Sequence, residues 1–399
     1  MRILLITAAI PYPPASGGAL RAYGILRGLV EAGHHVTLMS FGDSSQDTGP
    51  LRELCDEIIT VAEPTRTKID RLKDLLLSQQ ADIARRLFSE EFERRLVTLL
   101  QQQPFDIVQF EGIEVACYIP AVQQAKNTKI VFDTFNAEAE LQRVIAEVDR
   151  ANPRRWHVAA YSSIQSQRIR QYEGHLCRMA DAVIAVSPED AAHLKRYTPD
   201  KHIYVVPSGI HVDAYQAEYE TIDLGSNSIV FTGKMDYRPN VDAMLWFVNQ
   251  ILPLVKDEVH VTVVGQKPHK QLEPLLEKPN IKLTGWVDSV LPYLHSTDVY
   301  VAPLRMGSGT RLKILEAMAC GCAIVATDLA ASGLSEDARS AMVIVNEERA
   351  FADAISKLLS DPQYRQQLGD KAQEAVRKHY DWSVLIPRLL NVYEGLGLG

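Results

Sequence analysis

The feature that most restricts this chain is an alternation of short apolar runs with longer amphipathic stretches, and the alternation occurs twice. Runs of this length read as strands, and the stretches between them carry helical periodicity. In the first half the predicted strands are Ile3 to Thr7, Val36 to Phe41, Ile107 to Phe110, Ile130 to Phe135 and Ala182 to Val186. After Pro207-Ser208-Gly209 a second set begins: Ile229 to Thr232, Val259 to Val264, Ile281 to Leu283, Val299 to Ala302 and Ala323 to Ala326. Strands that alternate with helices pair in parallel and need both faces covered. The expectation is an α/β chain of two Rossmann-like, doubly wound parallel-sheet domains, residues 1–207 and 208–380, with a cleft between them. Ligands of such sheets bind beyond the carboxyl ends of the strands, so function belongs in the loops that follow strands.

A length of 399 residues suits two cores better than one. The net charge of −8 excludes a general nucleic-acid binder, which needs surplus cations to displace counterions. Cysteines at Cys55, Cys117, Cys177, Cys320 and Cys322 lack the paired spacing of a zinc site and read as reduced thiols of a cytoplasmic protein. Met1 to Ile10 loosely mimics a signal peptide, but it reads better as the first strand. No apolar run approaches the ~20 residues of a spanning helix, because Lys313, Glu316 and Asp328 interrupt the most apolar stretch. Between Arg66 and Gln103 a helical stretch without strands carries Arg71, Lys73, Arg85, Arg86, Arg94 and Arg95 among leucines and acids. It reads first as a solvated amphipathic face. Its second reading is a peripheral membrane contact, an acceptor-side surface resting on anionic headgroups at the inner face of the membrane.

The most informative segment runs from Leu304 to Gly321 and reads LRMGSGTRLKILEAMACG, directly after a predicted strand. Gly307 and Gly309 permit close backbone approach, and the free N–H groups of a following helix suit a phosphate. Arg311 and Lys313 place two cations where the helix dipole disfavours them, which points to an anion nearby. The structural alternative is that Ser308 or Thr310 caps an ordinary helix, Lys313 pairs with Glu316, and Gly321 ends it. Context favours the anion, because Phe231-Thr232-Gly233-Lys234 also ends a strand in a glycine and a cation. The first half adds a third glycine-rich strand-to-helix turn at Ser16-Gly17-Gly18.

Together these residues resemble glycosyltransferase family 4, whose members are retaining enzymes of the two-Rossmann GT-B fold. The resemblance runs nearly the full length. It rests on Ser16-Gly17-Gly18, the linker Pro207 to Asp213, Gly233-Lys234, Gly265, Thr284-Gly285-Trp286-Val287 and above all Gly307 to Gly321. It implies that residues 381–399, with a helix near Ser383 to Glu394, cross back to the first domain. It implies a hexosyltransferase-type reaction (EC 2.4) from a nucleotide-diphosphate sugar to an acceptor, in polysaccharide or glycoconjugate biosynthesis.

Residue by residue, the resemblance makes Glu316 the second acid of the family's paired-glutamate pattern, which contacts the donor ribose. Ser308 stands where the first acid is expected, so Ser308, Gly309 and Thr310 would hold the sugar hydroxyls. Lys234 stands where an arginine usually meets the donor phosphates, and Asn240 where a lysine is common, so Arg311 or Lys313 would restore the lost charge. Gly17, Gly18, Gly233, Gly265, Trp286 and Val287 complete the expected donor-binding set. Glu111, Asn136 and Glu138 are the acceptor-side candidates, and Glu111 and Glu138 also read as solvated loop residues. No Asp-x-Asp pair occurs, so no metal or other cofactor is expected. Donor base, sugar, acceptor and oligomeric state are encoded in no motif.

Two other classes compete with this reading. A nicotinamide oxidoreductase would need a G-x-G-x-x-G turn with an acid about 20 residues on, and Gly307-Ser308-Gly309 lacks the third glycine. A nucleotide-sugar epimerase on the same scaffold is harder to exclude, whereas a non-catalytic nucleotide-sugar-binding subunit, suggested by the missing first glutamate, is opposed by the presence of Lys234, Arg311, Lys313 and Glu316.

Overall fold

The computed structural model describes residues 1–399 except Ala15, 44–47, Lys68, Ile69, 71–73, Leu75, Leu76, Lys126, 151–155, Glu218, 308–310 and Gly399, and except the side chains of Val148, Asp149, His157 and Leu276. Within it the chain divides into two compact units, Met1–Ser208 with Leu385–Gly399, and Gly209–Val384.

The first unit holds a seven-stranded sheet of β1 (Arg2–Thr7), β2 (His35–Phe41), β3 (Glu57–Val61), β4 (Ile107–Glu111), β5 (Lys129–Thr134), β6 (Ala182–Ala185) and β7 (Ile203–Val205). All its pairs are parallel and the order is β3-β2-β1-β4-β5-β6-β7. Strand direction of connection reverses between β1 and β4, the switch point where such sheets open a crevice. Register sets Glu111 level with Thr7 on one side and Asp133 on the other. Leu4, Ile6, Val108, Phe110 and Phe132 from the strands pack with Phe92 and Leu96 of the helix Glu90–Gln102. That helix begins where Ser89 accepts the Phe92 N–H, and its three early glutamates suit the positive end of the dipole.

The second unit repeats the plan with β8 (Ser228–Thr232), β9 (His260–Val264), β10 (Ile281–Leu283), β11 (Val299–Ala302), β12 (Ile324–Ala326) and β13 (Val343–Ile344). Their order is β10-β9-β8-β11-β12-β13, again parallel, with the switch between β8 and β11. The closing helix Trp382–Glu394 belongs from Leu385 onward to the first unit. Ile386 fills the space over Gly28, where a Cβ would lie 2.3 Å from Ile386 Cγ1, and the Tyr393 hydroxyl donates to Gln109 Oε1.

The fold is therefore α/β with two Rossmann-like parallel sheets. The sequence reading missed β3, β7 and β13, all of them edge strands. β3 mixes Glu57 and Thr60 with apolar residues and is only half buried, while β7 and β13 are three and two residues long. Among the described residues no helix is long and apolar enough to cross a membrane.

Candidate functional site

In the second unit three glycine turns meet at the carboxyl edge. Gly233 follows β8 with φ +150, and its N–H donates to the Val264 carbonyl at 2.9 Å. Gly265 follows β9 so closely that a Cβ would stand 1.7 Å from the Gly233 carbonyl oxygen. Gly285, φ +71, bridges back to Gly265. Only glycine tolerates such backbone contact and such dihedrals together. Beside them Trp286 is exposed and Val287 half buried.

Onto this platform comes the helix Leu312–Ala319, with Arg311 at its N-cap position and no side-chain cap bond. Lys313, one residue inside, lies over the Phe231 ring at 4.5 Å and donates to Asn240 Oδ1 at 2.5 Å. Asn240 Nδ2 in turn donates to the Lys234 carbonyl at 2.9 Å. A Cβ on Gly233 would be 2.7 Å from both Lys313 Nζ and Asn240 Nδ2, so the ammonium sits directly above the glycine turn. Burial, with the Arg311 charge beside it, pulls the Lys313 pKa down to about 7. Lys313 nevertheless keeps part of its surface open, and a desolvated cation with an open side favours an arriving anion.

One helical turn on, Glu316 accepts from the Tyr215 hydroxyl at 3.0 Å. Burial pushes its pKa up to about 7, against the pull of Tyr215 and Lys313. The simple Lys313 to Glu316 surface pair is thus replaced by separate partners, Asn240 and Tyr215, brought from 73 and 101 residues away. Lys234 is exposed, with Asp236 at 3.9 Å. Gly307 has φ +118 and packs on the Arg311 guanidinium. Ser308, Gly309 and Thr310 lie outside the described residues.

In the first unit the expected candidates divide. Gly17 and Gly18 open the helix Gly17–Glu31, which Ser16 caps by accepting the Ala19 N–H at 3.3 Å. Gly18 lies against the Phe135 ring. Glu111 is not a solvated loop residue: it ends β4 and is 1% exposed. Gln109 Nε2 donates to its Oε1 at 2.5 Å, and Oε2 is buried with no hydrogen-bond partner among the described residues. Glu138 is not a loop residue either, since it opens the helix Glu138–Arg150, and burial raises its pKa to about 7. Glu173 anchors that helix end by accepting the Glu138 and Ala139 N–H groups at 2.6 and 3.0 Å. Asn136 lies between, its carbonyl accepting from Thr134 Oγ1 at 2.5 Å.

Sequence reasoning missed the pair that organises this edge. Arg21 Nη2 reaches Asp133 Oδ2 at 2.7 Å and Oδ1 at 2.9 Å, with both residues fully buried. The available signal was an arginine and an aspartate inside otherwise apolar segments, LRA in a helix and VFDT in a strand. An open groove of about 1300 Å3 lies elsewhere in this unit, between β3 and the helix Glu90–Gln102. Its Arg94 and Arg95 are already held by Glu91 at 2.5 and 2.6 Å, so it offers paired charge.

Two doubly wound units with glycine turns at their switch points define a doubly wound α/β class whose ligand crevices lie beyond the carboxyl ends of the strands. Residues 15–214 match the model described as Glycosyltransferase Family 4, and residues 226–361 the model described as Glycosyl transferases group 1. The chain belongs to glycosyltransferase family 4.

A phosphatidyl-myo-inositol mannosyltransferase of Mycobacterium leprae is 30% identical over 201 residues, which is 47% of this chain and 52% of that protein. The chain thus spans about half the length of the curated relatives it matches. Over its full length it is similar in fold to sucrose-phosphate synthase from Thermosynechococcus elongatus, with TM-score 0.74, 17% identity, and coverage of 100% of this chain and 99% of that one. The Anabaena protein HepE in complex with UDP-glucose gives TM-score 0.63 at 14% identity, with the same coverage. The fold is accordingly GT-B.

Proposed function

We propose that the chain is a retaining glycosyltransferase that moves a hexose-type sugar from a nucleotide-diphosphate donor to an acceptor hydroxyl without a metal ion. The observation that carries this reading is Lys313, a desolvated yet open cation seated over the Gly233 turn one helical turn before Glu316. Family membership supports transfer chemistry, and the UDP-glucose bound by HepE supports a nucleotide-sugar donor.

In this reading Lys313 and the first N–H groups of the helix Leu312–Ala319 bind the diphosphate, with exposed Lys234 alongside. Negative charge on the leaving diphosphate grows as the glycosidic bond breaks, so preorganised cations stabilise the transition state more than the ground state. Glu316 holds the ribose. Attack comes from an acceptor hydroxyl on the side of the departing diphosphate, whose oxygen takes the hydroxyl proton. Glu111, Asn136 and Glu138 remain acceptor-side candidates.

A nucleotide-sugar panel screened by thermal shift, followed by NMR of the products formed with acceptor sugars in EDTA, tests the proposal. A native-state ligand raises apparent stability, so one or more donors should raise the melting temperature, and the product should keep the donor's anomeric configuration. Absence of any shift would overturn donor binding. An inverted product would overturn retention, a strict metal requirement would overturn metal independence, and an epimerised nucleotide sugar would mark an epimerase.

A further inference from the structure

We propose that Tyr215 is a positioning residue of the donor site, its hydroxyl holding Glu316 ionised and turned so that one carboxylate oxygen stays free for a nucleotide ribose. The inference rests on the donor-site reading above and concerns a residue outside the glycine turns and the Leu304 to Gly321 segment.

Tyr215 lies in the short helix Val212–Gln216, and its hydroxyl donates to Glu316 Oε1 at 3.0 Å. That bond occupies one oxygen and leaves Oε2 for the hydroxyls of a ligand. Tyr215 is itself fixed from behind. Its carbonyl accepts from His295 Nε2 at 2.9 Å and from Cys320 Sγ at 3.7 Å. His295 stacks on Tyr219 with ring centroids 5.6 Å apart. The short helix is tied down at Asp213, which accepts from Arg377 Nη1 at 3.0 Å, and at Val212, whose N–H donates to Asp381 Oδ2 at 3.0 Å. The hydroxyl therefore approaches Glu316 from a braced backbone, as a preorganised contact requires.

A phenylalanine would fill the same space, so the hydroxyl needs a reason. A desolvated hydroxyl is costly unless bonded, and its bond to a carboxylate is stronger when the carboxylate is ionised. The ionisable groups around Glu316 are Lys313 on its own helix, Cys320 just beyond it, Tyr215, and Tyr300 on β11. The helix Pro362–Tyr380, which packs on the same helix, presents neutral Gln373 there, donating to the Ala319 carbonyl at 3.2 Å. Lys313 and Tyr215 thus work together against burial, which already pushes Glu316 up to about 7. Losing the hydroxyl moves it higher, and at neutral pH more of the site carries a protonated acid.

The test is calorimetric titration of UDP and GDP into wild type, Tyr215→Phe and Glu316→Gln between pH 6 and 9, with melting temperatures measured alongside. Wild-type affinity should fall below an acid limb near 7. In Tyr215→Phe the acid limb should move up by about one pH unit, with binding about fivefold weaker than wild type at pH 7 and close to that of wild type at pH 9. Glu316→Gln should bind weakly at every pH and show no acid limb. A 3-fluorotyrosine at position 215, whose more acidic hydroxyl donates more strongly, should move the limb the other way and serves if the phenylalanine variant melts early. An unmoved limb in both Tyr215 variants, with Glu316→Gln still defective, overturns the role of Tyr215 and leaves the donor-site reading standing. Wild-type binding by Glu316→Gln, or no binding of either diphosphate to the wild type, overturns that reading and the inference with it.

Discussion

The two units share one strand order and arm it in opposite ways. At the first switch point Arg21 meets Asp133 in a closed pair, with Glu111 beside it as a second acid, all at 0–1% exposure. At the second, Lys313 and Glu316 keep part of their surface open, and Lys313 leans on a neutral amide and a ring. Topology supplies a crevice in each case. What separates a structural charge from a working one is whether its opposite charge is already in place. The first edge has answered its cation from within, and in the proposed reading the second leaves that to the donor.

The largest expected effect follows from the closed edge. Breaking a buried pair from one side leaves a lone charge, so Arg21→Met should cost about 3 to 5 kcal/mol in chemical denaturation. Lys313→Met should cost little stability, since it removes a desolvated cation that forms no ion pair among the described residues. Equal losses from the two substitutions would dissolve the contrast between the edges.

The next effect belongs to the open edge. Lys313→Met should lower the rate of donor-sugar hydrolysis about 100-fold, the usual scale for removing one preorganised stabiliser of developing charge. The pH dependence has a fixed sign. With Lys313 pulled down to about 7 in the unliganded protein, a bound diphosphate raises it and takes up a proton. Its contribution to binding is full below about 7 and fades as pH rises. Titrating UDP into Lys313→Met should therefore show no alkaline limb. A limb identical to wild type would mean that another group, such as Lys234, meets the phosphate.

How much of this was legible in the sequence follows from where each interaction is made. Central strands of a parallel sheet are buried on both faces, so β1, β8 and β11 stand out as apolar runs, while β4 carries Gln109 among its apolar residues. The edge strands β3, β7 and β13 lack that signal, and Glu57–Val61 reads as easily as loop. Lys313 and Glu316 were visible because their spacing puts them on one helix face. Asn240 stood out only as lying where relatives commonly have a lysine, and Tyr215 not at all, since the partners that explain them lie 73 and 101 residues away and only packing joins them. Arg21 and Asp133, separated by 112 residues, each broke an apolar pattern, and the two breaks together were a readable hint of a buried pair.

A smaller effect tests the surplus acid of the first edge. Burial and the neighbouring Asp133 push Glu111 up to about 8, with Arg21 and the Gln109 hydrogen bond pulling against them. Its folded pKa lies above the unfolded value of about 4.3, so folding binds a proton and stability falls as pH rises from about 4.3 to about 8. Glu111→Gln keeps an acceptor for Gln109 and removes the titration. It should match wild type at pH 4 and be the more stable protein at pH 9. A loss at pH 9 would show that the ionised carboxylate is a wanted charge and that the first edge is less closed than its geometry indicates.

The smallest effect concerns Gly18. A Cβ there would lie 3.2 Å from Phe135 Cε2, a ring edge that can retreat by a few tenths of an ångström, unlike the carbonyl that faces Gly265. Alanine improves on glycine in a helix by about 0.5 to 1 kcal/mol, which offsets the crowding. Gly18→Ala should therefore change stability by less than about 1 kcal/mol in either direction. Any larger consequence has to come through function, because Gly18 lies in the first turn of the helix Gly17–Glu31, which Ser16 already caps through the Ala19 N–H. If the turn contacts the donor, as the family resemblance expects, Gly18→Ala would raise the donor KM without moving the melting temperature. If KM is unchanged as well, the first-unit glycine turn serves helix packing against Phe135, and the work of holding the donor falls entirely to the second unit.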